Sequence, residues 1–236
     1  MNGGSSAGSV RAARSVLITG FGPFPGVPVN ASVRLSRELA QRAPRQFPGV
    51  RFATGVLATE WHDARPRLER LLAASAPDLV LHFGVSPRAR GFEIEARARN
   101  ACVAMPDAAG AWPPGAVLDA EGAEQLPASL PVGYIVTRLR RIGLPAFLSR
   151  DAGAYLCNAA LYHSLRLARL DPRRRVGFIH IPASLARLRA GGAGGGPLNW
   201  EQATAGAVEV IAACIGRPAC ASAGNLAARS APLATS

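Results

Sequence analysis

A thiol, an imidazole and a carboxylate suffice for covalent acyl transfer, and three segments of this chain supply them. Cys157 lies in "DAGAYLCNAALYHSL" (151–165), in the first turns of an expected helix whose inward stripe is Cys157, Leu161, Leu165 and Ala168. That spacing alone describes an ordinary core cysteine. Early helical placement, however, turns the positive end of the helix dipole toward the sulfur and favours the thiolate. His180 closes the apolar run "RVGFIHIP" (175–182), and a strand-end histidine can serve as general base to a thiol. An orienting acid is available from "FEIEARARNA" (92–101), where Glu93 and Glu95 share one side of an alternating strand and either can reach a histidine ring. Each residue also has a plainer reading: a hydrogen-bonded strand end for His180, a solvated face for the glutamates.

A second kind of chemistry is raised by "SVLITGFGPFPGVPVN" (15–30), an apolar strand running into a glycine-rich turn. A dinucleotide site needs G-x-G-x-x-G with the helix starting inside the motif, so that backbone N–H groups meet the pyrophosphate. Here the glycines fall at 20, 22 and 26, Pro23 and Pro25 remove two donors, and Phe21 and Phe24 put bulk where phosphate would sit. The following strand offers only Glu60 as a ribose acid, beyond its end. The loop suits a flat apolar ligand better than an anion, or else both rings belong to the core. The remaining histidines have weaker claims: His62 at a helix start, His82 inside a strand, His163 on a helix.

Positioning these groups falls to an alternation of strand and helix. Apolar runs at 15–19, 51–58, 78–84 and 175–181 read as strands buried on both faces. Helical patterns cover 31–43, 64–76, 133–143, 152–170 and 201–216, and residues 92–101 read as a half-exposed strand at an edge or in a hairpin. The expectation is one α/β domain, a three-layer α/β/α sandwich around a mixed, mostly parallel sheet, over residues 15–216. Residues 1–14 and 217–236 read as loose tails, and 190–197 as a flexible glycine loop.

Composition narrows the partners. The chain of 236 residues is 49% hydrophobic and 18% charged, within the range of folded domains. Its net charge of +12 comes wholly from arginine, scattered apart from "RLRR" at 138–141 and "DPRRR" at 171–175, so a nucleic-acid footprint is not expected. The four cysteines (102, 157, 214 and 220) show neither disulfide nor zinc spacing. No apolar run reaches membrane-span length and no signal-type h-region opens the chain, which gives no membrane partner and a cytoplasmic location as the expectation.

Taken together, these segments resemble the pyroglutamyl peptidase I family of cysteine peptidases, also called pyrrolidone-carboxylate peptidases. "LITGFGPFPGVPVNAS" is similar to that family's opening strand and G-F-x-P-F-G-G-x-x-x-N-x-S loop. "DAGAYLCN" is similar to its nucleophile segment D-A-G-x-Y-x-C-N, and "GFIHIP" to its histidine segment. In "FEIEARARNA" the family pattern, a glutamate five residues before an asparagine, selects Glu95 and Asn100 and rejects Glu93. The resemblance implies an α/β/α fold and hydrolytic release of an N-terminal pyroglutamyl residue from small peptides. Cys157 would be nucleophile, His180 base and acid, and Glu95 the orienting carboxylate, with no metal and no organic cofactor needed. It also implies that Phe21 and Phe24 clamp the lactam, that Asn30 braces the pocket, that Val85 contributes through its main chain where the family often has glutamine, and that the chain forms a homo-oligomer, dimer or tetramer.

Two departures go with it. The family's N-x-D-D-A-R-x-P-D is replaced by "NACVAMPD" (100–107), one residue shorter, with Ala104 or Met105 where an arginine near the nucleophile is usual. Arg88 or Arg90 is available to substitute, and a binding protein that holds lactam or peptide ends without cleaving them is the alternative. The segment after 182 also departs from the family's usual sequence.

Overall fold

In the computed structural model, which describes residues 14–187 and 196–217, the chain forms a six-stranded sheet between two layers of helices. Nearly all of the expected N-terminal tail, most of the 190–197 glycine loop, nearly all of the expected C-terminal tail and Cys220 lie outside the described residues. The strands β1 (Ser15–Phe21), β2 (Arg51–Leu57), β3 (Leu79–Ser86) and β8 (Arg175–Pro182) arise from the four apolar runs. They pair in parallel, in the order β2-β1-β3-β8. The sheet continues through β4 (Phe92–Glu95), antiparallel to β8, to the edge strand β7 (Ala146–Ser149), which is parallel to β4.

Helices α1 (Ala31–Gln46), α3 (Val132–Arg141) and α5 (Trp200–Ile215) bury their apolar stripes on one face, against Val16, Ile18, Leu81, Phe83, Ile94 and Ile179. Helices α2 (Trp61–Ser75) and α4 (Leu156–Ala168) cover the other face, against Leu17, Phe21, Val80 and Phe178. Strand residues two apart share a face, so this division fixes where every polar side chain of the sheet must point. No described helix is long and apolar enough to cross a membrane.

The region 92–101 departs from the single half-exposed strand expected. It is two strands, β4 in the large sheet and β5 (Arg97–Arg99) in a two-stranded ribbon with β6 (Gln125–Pro127). β4 lies between β8 and β7, so it is flanked on both sides, and Glu95 on its polar face is only 1% exposed. The alternation was legible; the burial of Glu95 on its charged face was not. β6 and β7, three and four residues long, carry too little pattern to be read from sequence. Helix α2 starts at Trp61, three residues before the expected boundary, because Asp107 Oδ2 accepts the Trp61 N–H at 2.8 Å, a cap from 46 positions away.

Candidate active site

β8 carries Val176, Phe178 and His180 toward α2 and α4, and β4 carries Glu93 and Glu95 toward the same side, because Phe92 and Ile94 face the opposite core. The antiparallel register sets Glu93 directly across from His180. His180, 7% exposed, nevertheless leans to Glu95, whose Oε1 accepts from Nδ1 at 2.8 Å. That bond leaves Nε2 for the thiol side, and the Cys157 side chain completes a Glu95–His180–Cys157 row. Burial on its own would discharge the imidazole, but hydrogen bonds and charge from Cys157 and Glu95 outweigh it and push the His180 pKa up to about 10.

Cys157 is the second residue of α4, with Tyr155 as an N-cap whose side chain makes no capping bond. The first N–H groups of a helix have no intrahelical acceptor, so they face the space around the sulfur with the positive end of the dipole. Below it, α4 is tied to the sheet: His82 joins Thr19 Oγ1 (2.6 Å) to Ser164 Oγ (2.7 Å). Burial holds the His82 pKa down to about 3, which makes it a neutral structural bridge. Asn158, next to the nucleophile, spends its amide on the main chain of Arg99 and Ala101, fixing the ribbon that follows Glu95 against α4.

Gly84 sets the floor. A Cβ there would lie 2.6 Å from the Phe178 ring and 3.1 Å from Cys157 Sγ. Gly84→Ala is therefore expected to push the thiol out of line with His180. Since a misplacement of about 1 Å can cost on the order of 100-fold, kcat should fall by about 10- to 100-fold. Full activity in a folded Gly84→Ala protein, measured with a pyroglutamyl amide, would count against this geometry.

The opening loop sits at the same end of the sheet. Phe21 ends β1, is 2% exposed, and packs on Phe178 with ring centroids 5.9 Å apart; Phe178 in turn lies 4.7 Å from the His180 ring. Phe21 thus forms part of the floor beneath the imidazole. Phe24 is half-buried and faces Tyr155 at 6.2 Å, beside the start of α4. The turn closes through paired main-chain bonds between Phe24 and Val27, and Gly26 takes the left-handed conformation at φ 81°. A Cβ on Gly20 would lie 2.5 Å from the Ser32 main chain, so that glycine serves the approach of α1 to β1. Asn30 caps α1 through Ser32 N–H and donates to Gly22 O at 3.0 Å, spanning the base of the loop. The Val85 side chain packs into the α1/α3/α5 core, on the face opposite Cys157, which leaves only its main chain for the site.

Other residues arrive at the site that sequence reasoning did not single out. Trp61 stands edge-on to Tyr155 at 5.3 Å, making an aromatic wall with Phe24. Only the Tyr155 position inside "DAGAYLCN" hinted at it. The segment expected to hold an arginine does pass the nucleophile, since Val103 N–H donates to Ala154 O and Tyr155 Oη to Pro106 O, but it brings exposed Ala104 and Met105 there. Arg88 instead acts on Glu93. Glu93, Glu95 and His180 place ligand-type atoms within 4.8 Å of one another. Nδ1 is engaged by Glu95, however, so the cluster reads as a proton-handling row rather than a cation cage.

The chain as a whole is similar to a set of known proteins. The family model described as pyroglutamyl peptidase matches residues 14–215. A pyrrolidone-carboxylate peptidase of Chromobacterium violaceum is 36% identical over 170 residues, covering 72% of this chain and 78% of that protein. One from Streptococcus suis is 32% identical over 169 residues, covering 71% and 77%. The crystal structure of Bacillus amyloliquefaciens pyroglutamyl peptidase I superposes with a TM-score of 0.76 at 25% identity, covering 86% of this chain and 98% of that one.

Proposed function

The chain belongs to the pyroglutamyl peptidase family and is a cysteine peptidase, and from that premise we propose that it removes N-terminal pyroglutamyl residues from small peptides with Cys157, His180 and Glu95 as its reacting groups. The observation that carries this reading is the bond from His180 Nδ1 to the buried Glu95, which presents Nε2 to a thiol at a helix start. The Cys157 thiolate attacks the carbonyl carbon that joins the pyroglutamyl group to the next residue. The oxyanion is met by N–H groups at the start of α4. Imidazolium Nε2–H protonates the leaving amine, and the neutral imidazole then takes a proton from the water that opens the thioester. Phe24, above the floor that contains Phe21, covers the flat neutral lactam, and the Val85 main chain offers polar contacts.

The direct test is hydrolysis of a pyroglutamyl arylamide against its prolyl and glutamyl counterparts. We expect amine release from the first alone. A purified protein that is thermally stabilised by pyroglutamyl ligands yet releases no amine would overturn the reading. We also read the protein as cytoplasmic, where Cys157 stays reduced, and as a homo-oligomer, dimer or tetramer, for which exposed Phe147 and Leu148 on the edge strand offer an apolar face.

A pH profile provides a further check. His180 has a folded-state pKa of about 10, above its ordinary value of 6.5, so the imidazolium persists through neutral pH and is lost only as pH rises through the higher value. Stability linked to this group has the same sign: fully present below 6.5 and lost toward 10. The alkaline limb of kcat/KM should therefore fall near pH 10. A limb near 6.5, the value of a free imidazole, would contradict the buried ion row.

A further inference from the structure

Family resemblance assigns one carboxylate to the imidazole, but β4 presents two. Glu93 pairs directly with His180 across the β4–β8 ladder, where opposed side chains stand side by side, and Glu95 occupies the diagonal position on the same face. All three offer polar atoms within 4.8 Å of one another. Glu95 uses Oε1 on His180, while its Oε2 is buried with no hydrogen-bond partner. Glu93 is half-buried, between that row and solvent. The groups that face it are His180 from β8, Glu95 from its own strand and Arg88 from the β3–β4 loop, with Cys157 of α4 beyond the ring. On its other side β7 contributes the non-titrating Phe147.

We propose that Glu93 is a positioning residue of this peptidase, a second, outer carboxylate whose negative charge holds the His180 imidazolium together with Glu95 and extends the thiolate–imidazolium pair to higher pH. The inference rests on the peptidase reading above for its catalytic consequence, though not for its electrostatics. Burial and the neighbouring Glu95 charge raise the Glu93 pKa above the ordinary carboxylate value, and His180 and Arg88 pull it back. On acidification Glu93 therefore takes up a proton from solvent at a higher pH than an ordinary carboxylate does.

The test is the His180 ring titration by NMR on histidine-labelled full-length protein, alongside the kcat/KM profile, for wild type, Glu93→Gln and Glu93→Asp. Glu93→Gln keeps size and hydrogen-bonding capacity but removes the charge. Both the His180 titration and the alkaline limb should move to lower pH by about half a pH unit or more, and Glu93→Asp should return them toward wild type. Glu93→Ser serves as a second neutral variant if Glu93→Gln does not fold, with the same downward shift expected. An unchanged His180 titration in a folded neutral variant overturns the inference. The NMR readout does not depend on turnover, so an inactive wild-type protein counts against the peptidase reading and leaves this result to be judged separately.

Discussion

Cys157→Ser is expected to abolish release of amine from pyroglutamyl arylamides, with turnover reduced by at least about 1,000-fold, while the fold and ligand binding persist. The substitution replaces a sulfur whose anion is held by an imidazolium with a hydroxyl that ionises far less readily, so the attacking species is removed although the geometry is kept. Residual rate, if any, would come from the oxyanion donors and binding alone, since groups that act as a unit lose most of their effect when any one is removed. Cys157 is only half-buried and its helix is secured by the His82 bridge and by Asn158, so the loss will not be explained by unfolding. Steady-state kinetics with a thermal melt as control check this. Wild-type-like turnover in the serine protein would remove Cys157 from the chemistry.

Glu95→Gln should be the next most damaging change at the site, lowering kcat by about 100-fold or more. The amide can still accept from His180 Nδ1, yet it carries no charge, so the imidazolium it faces at 2.8 Å is less stable and the ring is free to take the other orientation. Two signs separate this from a general loss of structure. The alkaline limb should move to lower pH, because the hydrogen bond and charge by which Glu95 helps to raise His180 are altered or gone. KM should change much less than kcat, because Glu95 is buried beneath the ring at 1% exposure and does not face the lactam. A loss carried by KM, with the limb unmoved, would assign Glu95 to substrate binding instead.

How far the sequence reached depends on whether the deciding contact was local. Four strands and five helices followed from apolar runs and helical periodicity, because burial on both faces of a parallel strand leaves a continuous apolar segment. Cys157 and His180 were legible as a helix-start thiol and a strand-end imidazole. Choosing Glu95 over Glu93 needed the family pattern, since alternation puts both on one face; in the structure the lean of His180 toward the diagonal neighbour and the fuller burial of Glu95 separate them. Glu95's burial could not be read at all: the ribbon that follows it is held to α4 through Asn158 and Arg99, 59 positions apart. The aromatic wall of Trp61 and Tyr155 was hidden for the same reason, because Trp61 is placed by the distant cap from Asp107. The opening glycines serve the backbone, Gly20 through the close approach of the Ser32 main chain and Gly26 through a left-handed turn.

The central claim is that Cys157 carries the pyroglutamyl group between the two halves of the reaction, and intact-protein mass spectrometry of acid-quenched turnover mixtures tests it most directly. The account predicts a covalent adduct with the mass of one pyroglutamyl acyl group, mapped by peptide digestion to Cys157 and missing from Cys157→Ala protein. Amine release with the adduct on another residue, or with the same adduct yield in Cys157→Ala, would contradict it.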